Sequence, residues 1–367
     1  MSMFGSRRDE NIPATGANSD TALLELRDVS TIFGQGPGAT FASDHVSLRI
    51  EENPPRLVSI VGESGSGKTT AARALLGLQP PTFGNALWRG KDIYKLSKHE
   101  RFLFRKEVQA VFQDPYGIFN PYYPINRVFD VAIKKFKLAS SKQQHDEIIE
   151  EALKAVSLRP PDVLGRYPHQ LSGGERQRVM LARAYMLKPK VIVADEAVSM
   201  LDVAVRAVIM NILMDFKENL GISTIFITHD LSAAYYLGGD IMVMQRGRSV
   251  ELGPSISVMD DPKHPYTKLL LESIPSPDPD MRWENSAIPA SELDTITSAR
   301  KYDRERCLFA ERCPFVMDKC WERRPPLIKI GEQEAACVIY EGTGVTSLGG
   351  ASVATKPVAS DRELVRR

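Results

Sequence analysis

The stretch "RLVSIVGESGSGKTT", residues 56–70, decides the fold. Its first half, Leu57 to Val61, is a short apolar run of strand length. Its second half matches the pattern G-x-x-x-x-G-K-[ST] at Gly62, Gly67, Lys68 and Thr69. Glycines let backbone N–H groups close around phosphate oxygens. The helix that follows, read from "TTAARALLGL", points its positive end at the same anion. Lys68 is expected to reach the β- and γ-phosphates and the Thr69 hydroxyl to bind Mg²⁺. Glu63, Ser64, Gly65, Ser66 and Thr70 complete the expected cradle. A flexible Gly/Ser turn would share this composition, but not the strand before it and the helix after it.

Outward from this loop, composition sets limits. The chain has 367 residues, 43% of them hydrophobic, which suits one large or two modest domains with a real core. Its 47 basic and 46 acidic residues nearly cancel, so no nucleic-acid partner is expected. Residues 1–20 are polar and lack the apolar stretch of a signal peptide, and they read as a disordered leader. No run nears the roughly 18–20 apolar residues that span a bilayer. A soluble, cytosolic chain is expected, with any membrane attachment supplied by another molecule.

Segments 22–33 and 41–50 carry alternating and β-branched residues and read as strands. "KVIVADEA" (190–197) and "STIFITHD" (223–230) read as buried strands with a helix between them, and 240–253 as a hairpin turning at Arg246-Gly247. Residues 94–168 carry helical patterning. Strands alternating with helices imply an α/β core with a parallel sheet. After residue 272, "SIPSPDPDMRW" is proline-rich and reads as a linker. The tail from Glu341 reads as disordered.

Mg²⁺ also needs a carboxylate. Asp195 and Glu196, at the end of the strand "VIVADE", offer one acid for the ion and one to polarise an attacking water. "LSGGERQRVMLARA" (171–184) adds a second anion-binding helix start, with Ser172 as cap and the amides beside Gly173 and Gly174 exposed. Two such ends in one chain suit a nucleotide sandwiched between two subunits.

This last segment resembles the signature motif of ATP-binding cassette (ABC) ATPases, in which the signature of one subunit closes on ATP held by the P-loop of its partner. The resemblance spans residues 22–272 and implies an α/β P-loop NTPase cassette with a RecA-like core, an antiparallel β subdomain and a helical subdomain at about 94–185. It implies that Phe33 stacks on adenine and that Gln113 in "VFQDP" touches Mg²⁺ and water and communicates with a membrane partner. Asp195 and Glu196 match the Walker B aspartate and the catalytic glutamate. Ser172, Gly173, Gly174 and Glu175 match the signature, Asp202 the D-loop, and His229 the switch histidine that contacts the γ-phosphate.

"VFQDPYGIFNPYYPI" (111–125), "YPHQLSGGERQR" (167–178) and "HPYTKLLLESIPSPDP" (264–279) resemble the oligopeptide/dipeptide/nickel branch of ABC importers. Ala197 and Met200 depart from the usual Pro and Ala, and "ENPPRLVSIVG" lacks the usual Gly-Glu before its strand. The branch implies an ATPase at the cytoplasmic face of the cell membrane. Its implied partners are two permease subunits, a second and related ATPase, and an extracytoplasmic substrate-binding protein. Oligopeptide or dipeptide cargo is expected, with nickel and oligosaccharide as alternatives. A soluble ABC ATPase acting on ribosomes or DNA would carry two cassettes or a coiled-coil insertion, and neither is present in this sequence.

The expected architecture is a cassette over 21–272, a linker over 273–300, an extension over 301–340 and a tail over 341–367. All four cysteines lie in the extension, as Cys307, Cys313, Cys320 and Cys337 in the spacing C-x5-C-x6-C-x16-C. Disulfides do not suit a cytosolic chain, and zinc usually takes closer C-x2-4-C pairs. Four thiolates also suit a [4Fe–4S] cluster, which the resemblance to the importer extension implies. Such a cross-link would staple a segment with little core of its own.

Overall fold

The structure, a computed structural model, describes residues 21–35, 39–114, 117–274 and 304–342. The expected leader, nearly all of the expected linker and nearly all of the expected tail lie outside them.

In chain order, β1 (Leu24–Phe33) and β2 (Thr40–Ile50) form a hairpin, and β3 (Leu57–Val61) leads through the glycine loop into α1 (Lys68–Leu75). β4 (Phe83–Trp88) and β5 (Lys91–Asp92) follow, then α2 (Lys98–Glu107), which runs directly into β6 (Val108–Val111). A helical stretch comprises α3 (Asn126–Phe136), α4 (Lys142–Ala155), α5 (Pro160–Val163) and α6 (Gly173–Tyr185). Then come β7 (Val191–Asp195), α7 (Val203–Glu218), β8 (Ser223–Ile227) and α8 (Leu231–Leu237). The hairpin β9 (Asp240–Gln245) and β10 (Arg248–Pro254) precedes α9 (Ser255–Asp260) and α10 (Pro265–Glu272). Beyond Arg304 lie α11 (Asp318–Glu322), β11 (Ile328–Ile330) and β12 (Gln333–Ala335).

Two sheets organise these elements. An antiparallel sheet has the order β2-β1-β4-β5, and an eight-stranded sheet the order β11-β12-β10-β9-β3-β8-β7-β6. Within the second, β9, β3, β8, β7 and β6 run parallel. β3, β7 and β8 are buried at all five positions each, which is why they read as continuous apolar runs rather than alternating ones. One core cluster joins the helical stretch to α7 through Phe129, Leu153, Val179, Leu213 and Phe216. A second packs the antiparallel sheet on α1 and β3 through Leu24, Leu26, Ile60 and Leu75.

Two segments differ from the sequence expectation. Residues 108–111 fall inside the stretch read as helical, yet they pair with β7 as the edge of the parallel sheet. Four residues are too few to show a period, and sheet pairing decides their state. The extension, read as a separate appendage, adds its hairpin to the cassette's own sheet: Glu251 pairs with Ala335 and Leu252 with Glu334.

Candidate nucleotide site

Three neighbouring parallel strands place the chemistry. β3, β8 and β7 end on one edge of the sheet, where ligands of open α/β sheets bind. The P-loop leaves β3 there, Asp195 and Glu196 leave β7, and Thr228 and His229 leave β8.

The loop is shaped by its backbone. Gly62 has φ +147° and a Cβ there would sit 2.1 Å from Met244 O; Gly67 has φ +99° and a Cβ would sit 2.0 Å from Ala42 O. No other residue fits either place. Lys68 is buried, and its Nζ donates to Gly62 O and Glu63 O, each at 2.8 Å. Burial lowers the Lys68 pKa, while Glu196, Asp195 and Glu63 pull it back up. Ser64 and Gly65 are exposed at the crest, Ser66 is buried and Thr70 half-buried. The loop is also braced from outside: Glu63 N–H donates to Tyr266 Oη at 3.3 Å, Gly247 N–H to Ser66 O at 2.9 Å, and Arg312 stands 3.8 Å from the Glu63 carboxylate. The sequence reading treated Tyr266 as a mark of the branch; the structure makes it a contact of the P-loop.

Thr69 Oγ1 donates to Asp195 Oδ1 at 3.2 Å, across 126 positions of sequence. These two hard oxygens at the mouth of the loop fit Mg²⁺. Burial raises the Asp195 pKa, the Thr69 hydrogen bond opposes it, and neighbouring Glu196 adds to it. Glu196 has a left-handed backbone, φ 50°, and its N–H donates to Ile227 O at 2.9 Å. That conformation is rare outside glycine and turns the side chain off the strand line. The Glu196 carboxylate faces His229 Nδ1 at 2.9 and 3.0 Å. Arg206, which no motif pointed to, holds Leu201 O at 2.8 Å and Ser199 O at 3.3 Å and lies 3.5 Å from the Asp230 carboxylate. It ties the loop around Asp202 to the residue after His229.

The remaining candidates lie further out. Phe33 ends β1 and is half exposed. Gln113 is exposed just beyond β6, and Gln177 Nε2 on α6 donates to its neighbour Phe112 O at 3.2 Å. Ser172 caps α6 in a capping box with Glu175: Ser172 Oγ accepts from Glu175 N–H at 3.2 Å and Glu175 Oε2 accepts from Ser172 N–H at 2.8 Å. Gly173 is half-buried, but Gly174 is not exposed as expected: a Cβ there would come within 2.4 Å of Val205 Cγ1, so this glycine serves the packing of α6 on α7. Asp202 caps α7, its Oδ1 accepting from Val205 N–H at 3.0 Å. Among the described residues, no hydrogen bond or ion pair joins Ser172, Glu175 or Asp202 to the P-loop of the same chain.

A family model described as ABC transporter matches residues 44–199, and one described as oligopeptide/dipeptide transporter, C-terminal region, matches residues 250–320. The putative oligopeptide transport ATP-binding protein YkfD of Bacillus subtilis is 38% identical over 87% of this chain and 95% of its own. The chain belongs to the ABC transporter family, in its oligopeptide/dipeptide branch. The oligopeptide transport ATP-binding protein OppF of Escherichia coli is 35% identical over 86% of this chain and 92% of its own. Among solved structures, the dimeric post-hydrolysis state of the ATP-binding cassette MJ0796 bound to ADP and Pi matches with a TM-score of 0.56 and 29% identity, covering 63% of this chain and 98% of that one. This ABC protein is thus an ATPase coupled to transport. No helix among its described residues is long and apolar enough to cross a membrane.

The match to the C-terminal region ends at Cys320 and leaves Cys337 beyond it. All four cysteines are free of disulfides; Cys320 and Cys337 are buried and Cys307 and Cys313 half-buried. They converge. Burial pushes Cys337 up to about 12, and the other three thiols add to that shift. Met317 N–H donates to Cys320 Sγ at 3.4 Å. Among the described residues, no three His, Cys, Asp or Glu side chains are placed to hold a metal ion. That placement does not fit a tetrahedral zinc site. A four-iron cluster spreads its thiolates over separate irons, and the set of four sulfurs fits it in number and kind.

Proposed function

We propose that this ABC ATPase powers a peptide importer from the cytoplasmic face of the membrane, working as half of a head-to-tail pair of cassettes. The chain from Thr69 through Asp195 and Glu196 to His229 carries the reading. Lys68 and the loop amides bind the phosphates. Thr69 and Asp195 are the residues that would hold Mg²⁺, which when bound neutralises charge on the transferring phosphate. Glu196 takes the proton of the attacking water, and His229, hydrogen-bonded to it at 2.9 Å, positions it and meets the γ-phosphate. Ser172 to Glu175 and Asp202 serve the nucleotide of the partner cassette, which their lack of contact with their own P-loop supports. Phe33 stacks on the adenine. Because ATP binds the closed pair preferentially, it shifts the pair toward closure, and hydrolysis releases it.

A groove of about 590 Å³ beside Gln113, lined by Ile118, Tyr123, Val131 and Met180, supports docking of a permease subunit there. Ile118, Tyr123 and Val131 are exposed apolar side chains, as such a contact needs. The likeness to oligopeptide transport ATP-binding proteins supports oligopeptide cargo. An extracytoplasmic binding protein delivers it, and a related second ATPase completes the pair. The cassette over 21–272 is the working unit and the extension its attachment.

Glu196→Gln tests the mechanism. ATP binding should persist, the closed pair should accumulate, and turnover should fall by roughly 10²–10⁴-fold. Undiminished steady-state hydrolysis would remove Glu196 from the role. The four cysteines are assigned to a [4Fe–4S] cluster, for which the number and kind of their thiols speak. Anaerobically purified protein should contain about four iron and four acid-labile sulfide per chain; one zinc, or no metal, contradicts the cluster and leaves the ATPase standing.

A further inference from the structure

Where the extension meets the cassette there is a second cavity, of about 210 Å³, which shares no lining residue with the groove beside Gln113. At roughly 30 Å³ per water it has room for about seven waters, or for a small ion with part of its shell. Its lining comes from β2, the end of β9, β10 and His264 of the cassette, and from Cys307, Leu308, Ala336 and residues 324–327 of the extension.

Two arginines, a glutamine and a histidine bring N–H donors to the wall, beside the hydroxyls of Ser47 and Ser249. Gln245 is only 4% exposed, and its side-chain amide has no hydrogen-bond partner among the described residues. His264 is 2% exposed; its Nδ1 accepts the Tyr266 N–H at 3.1 Å, so its proton sits on Nε2. That nitrogen is likewise without a partner among the described residues. Both side chains open on the cavity, so their polar ends are free to bond what enters it.

The charge has a definite sign. Asp44 accepts from Arg248 Nε at 2.7 Å and from Arg304 at 2.8 Å, and its backbone oxygen accepts from Arg324 at 3.3 Å. One carboxylate faces three guanidiniums, and the Arg324 group is 3.9 Å from its nearest oxygen. The other nearby carboxylates are committed: Asp28 to His45 at 2.7 Å, and Glu251 to the backbone N–H groups of Lys263 and His264 at 2.6 and 3.0 Å. Arg248 and Arg324 both line the cavity, so its surplus is positive.

We propose that this cavity binds a small tetrahedral oxyanion of the phosphate class, held by Arg324, Gln245 and the Nε2–H of His264. The bound anion fastens the cysteine-bearing extension to the cassette, because Arg324 comes from the first and Gln245 and His264 from the second. Guanidinium and neutral N–H donors together suit an oxyanion, and the positive surplus disfavours a cation.

The test is calorimetric titration of inorganic phosphate into the full chain carrying Lys68→Ala, which removes the phosphate-binding lysine of the P-loop. Saturable one-to-one binding should remain, and sulfate, the same shape without an ionisable proton, should compete for it. Arg324→Gln and Gln245→Leu, each added to that background, should weaken the binding at least ten-fold, and Arg324→Lys should recover part of the loss. Far-ultraviolet circular dichroism of each variant verifies that it is folded. Absence of saturable binding in the Lys68→Ala chain, binding that survives both substitutions, or failure of sulfate to compete would overturn the assignment.

Discussion

The P-loop and the cysteine extension rest on the same sheet, one leaving the end of β3 and the other paired to β10, but different means hold them. The P-loop is specified by its backbone. Two glycines sit where any Cβ would strike a carbonyl oxygen, and the lysine bonds the loop's own oxygens. The extension is specified by side chains from distant parts of the chain. Its hairpin meets the sheet at two register pairs, its own clusters are small, and its four thiols form no disulfide. A site written in backbone geometry has a local signature that survives without its surroundings. A site assembled from side chains does not.

The largest expected effect breaks the backbone half of this contrast. Gly67→Ala places a methyl 2.0 Å from Ala42 O at φ +99°, so the loop or β2 must move. Strain and clash together should cost about 3 kcal/mol or more. ATP affinity, measured with a fluorescent nucleotide, should fall by more than 100-fold. Normal affinity would mean that the loop is not held by the close approach of β2.

The next effect concerns the seam between the two regions. Glu251 on β10 is fully buried; burial raises its pKa to about 7, against the pull of the Lys263 and His264 N–H groups. Below its unfolded value of 4.5 both states are protonated. Between there and about 7 the folded protein keeps a proton that the unfolded chain has released. Stability therefore falls as pH rises through this window, by on the order of 3 kcal/mol in total, and stays level above it. Glu251→Gln should flatten that part of the profile. Thermal unfolding of both proteins between pH 5 and 8 checks it, and parallel profiles would show that Glu251 is not the group responsible.

The same contrast governs what could be read in advance. β3, β7 and β8 were legible because strands buried on both faces are unbroken apolar runs. The β9–β10 turn was legible because Arg246 and Gly247 take φ of 46° and 89°, the arrangement of a tight hairpin turn. The order of these strands then brings Lys68, Thr69, Asp195, Glu196 and His229 to one edge. β6 was hidden within apparently helical sequence, and β11 and β12, three residues each, are too short to declare themselves. Gly174 looked like an exposed anion site because the sequence does not display Val205 packed against it. Arg206 had no motif to mark it, and Tyr266, read only as a branch mark, meets the P-loop 203 positions away.

The smallest effect sharpens the comparison most, because it asks whether the two regions communicate. Tyr266 is fully buried, and its ring meets Phe309 of the extension edge-on with centroids 5.7 Å apart. Its hydroxyl accepts the Glu63 N–H of the P-loop at 3.3 Å. One side chain therefore touches both regions. Tyr266→Phe keeps the ring contact and removes only the oxygen, leaving a P-loop donor unpaired. A lost hydrogen bond of this kind is worth about 1 kcal/mol, so ATP affinity should drop by less than ten-fold while the extension stays docked. Arg312→Gln removes the second link, the 3.8 Å approach to Glu63, and should weaken binding less because that pair is partly solvated. In a double-mutant cycle the two losses should couple, since both act on Glu63. Strict additivity, or no loss in either single variant, would make the extension a neighbour of the P-loop that exerts no hold on it.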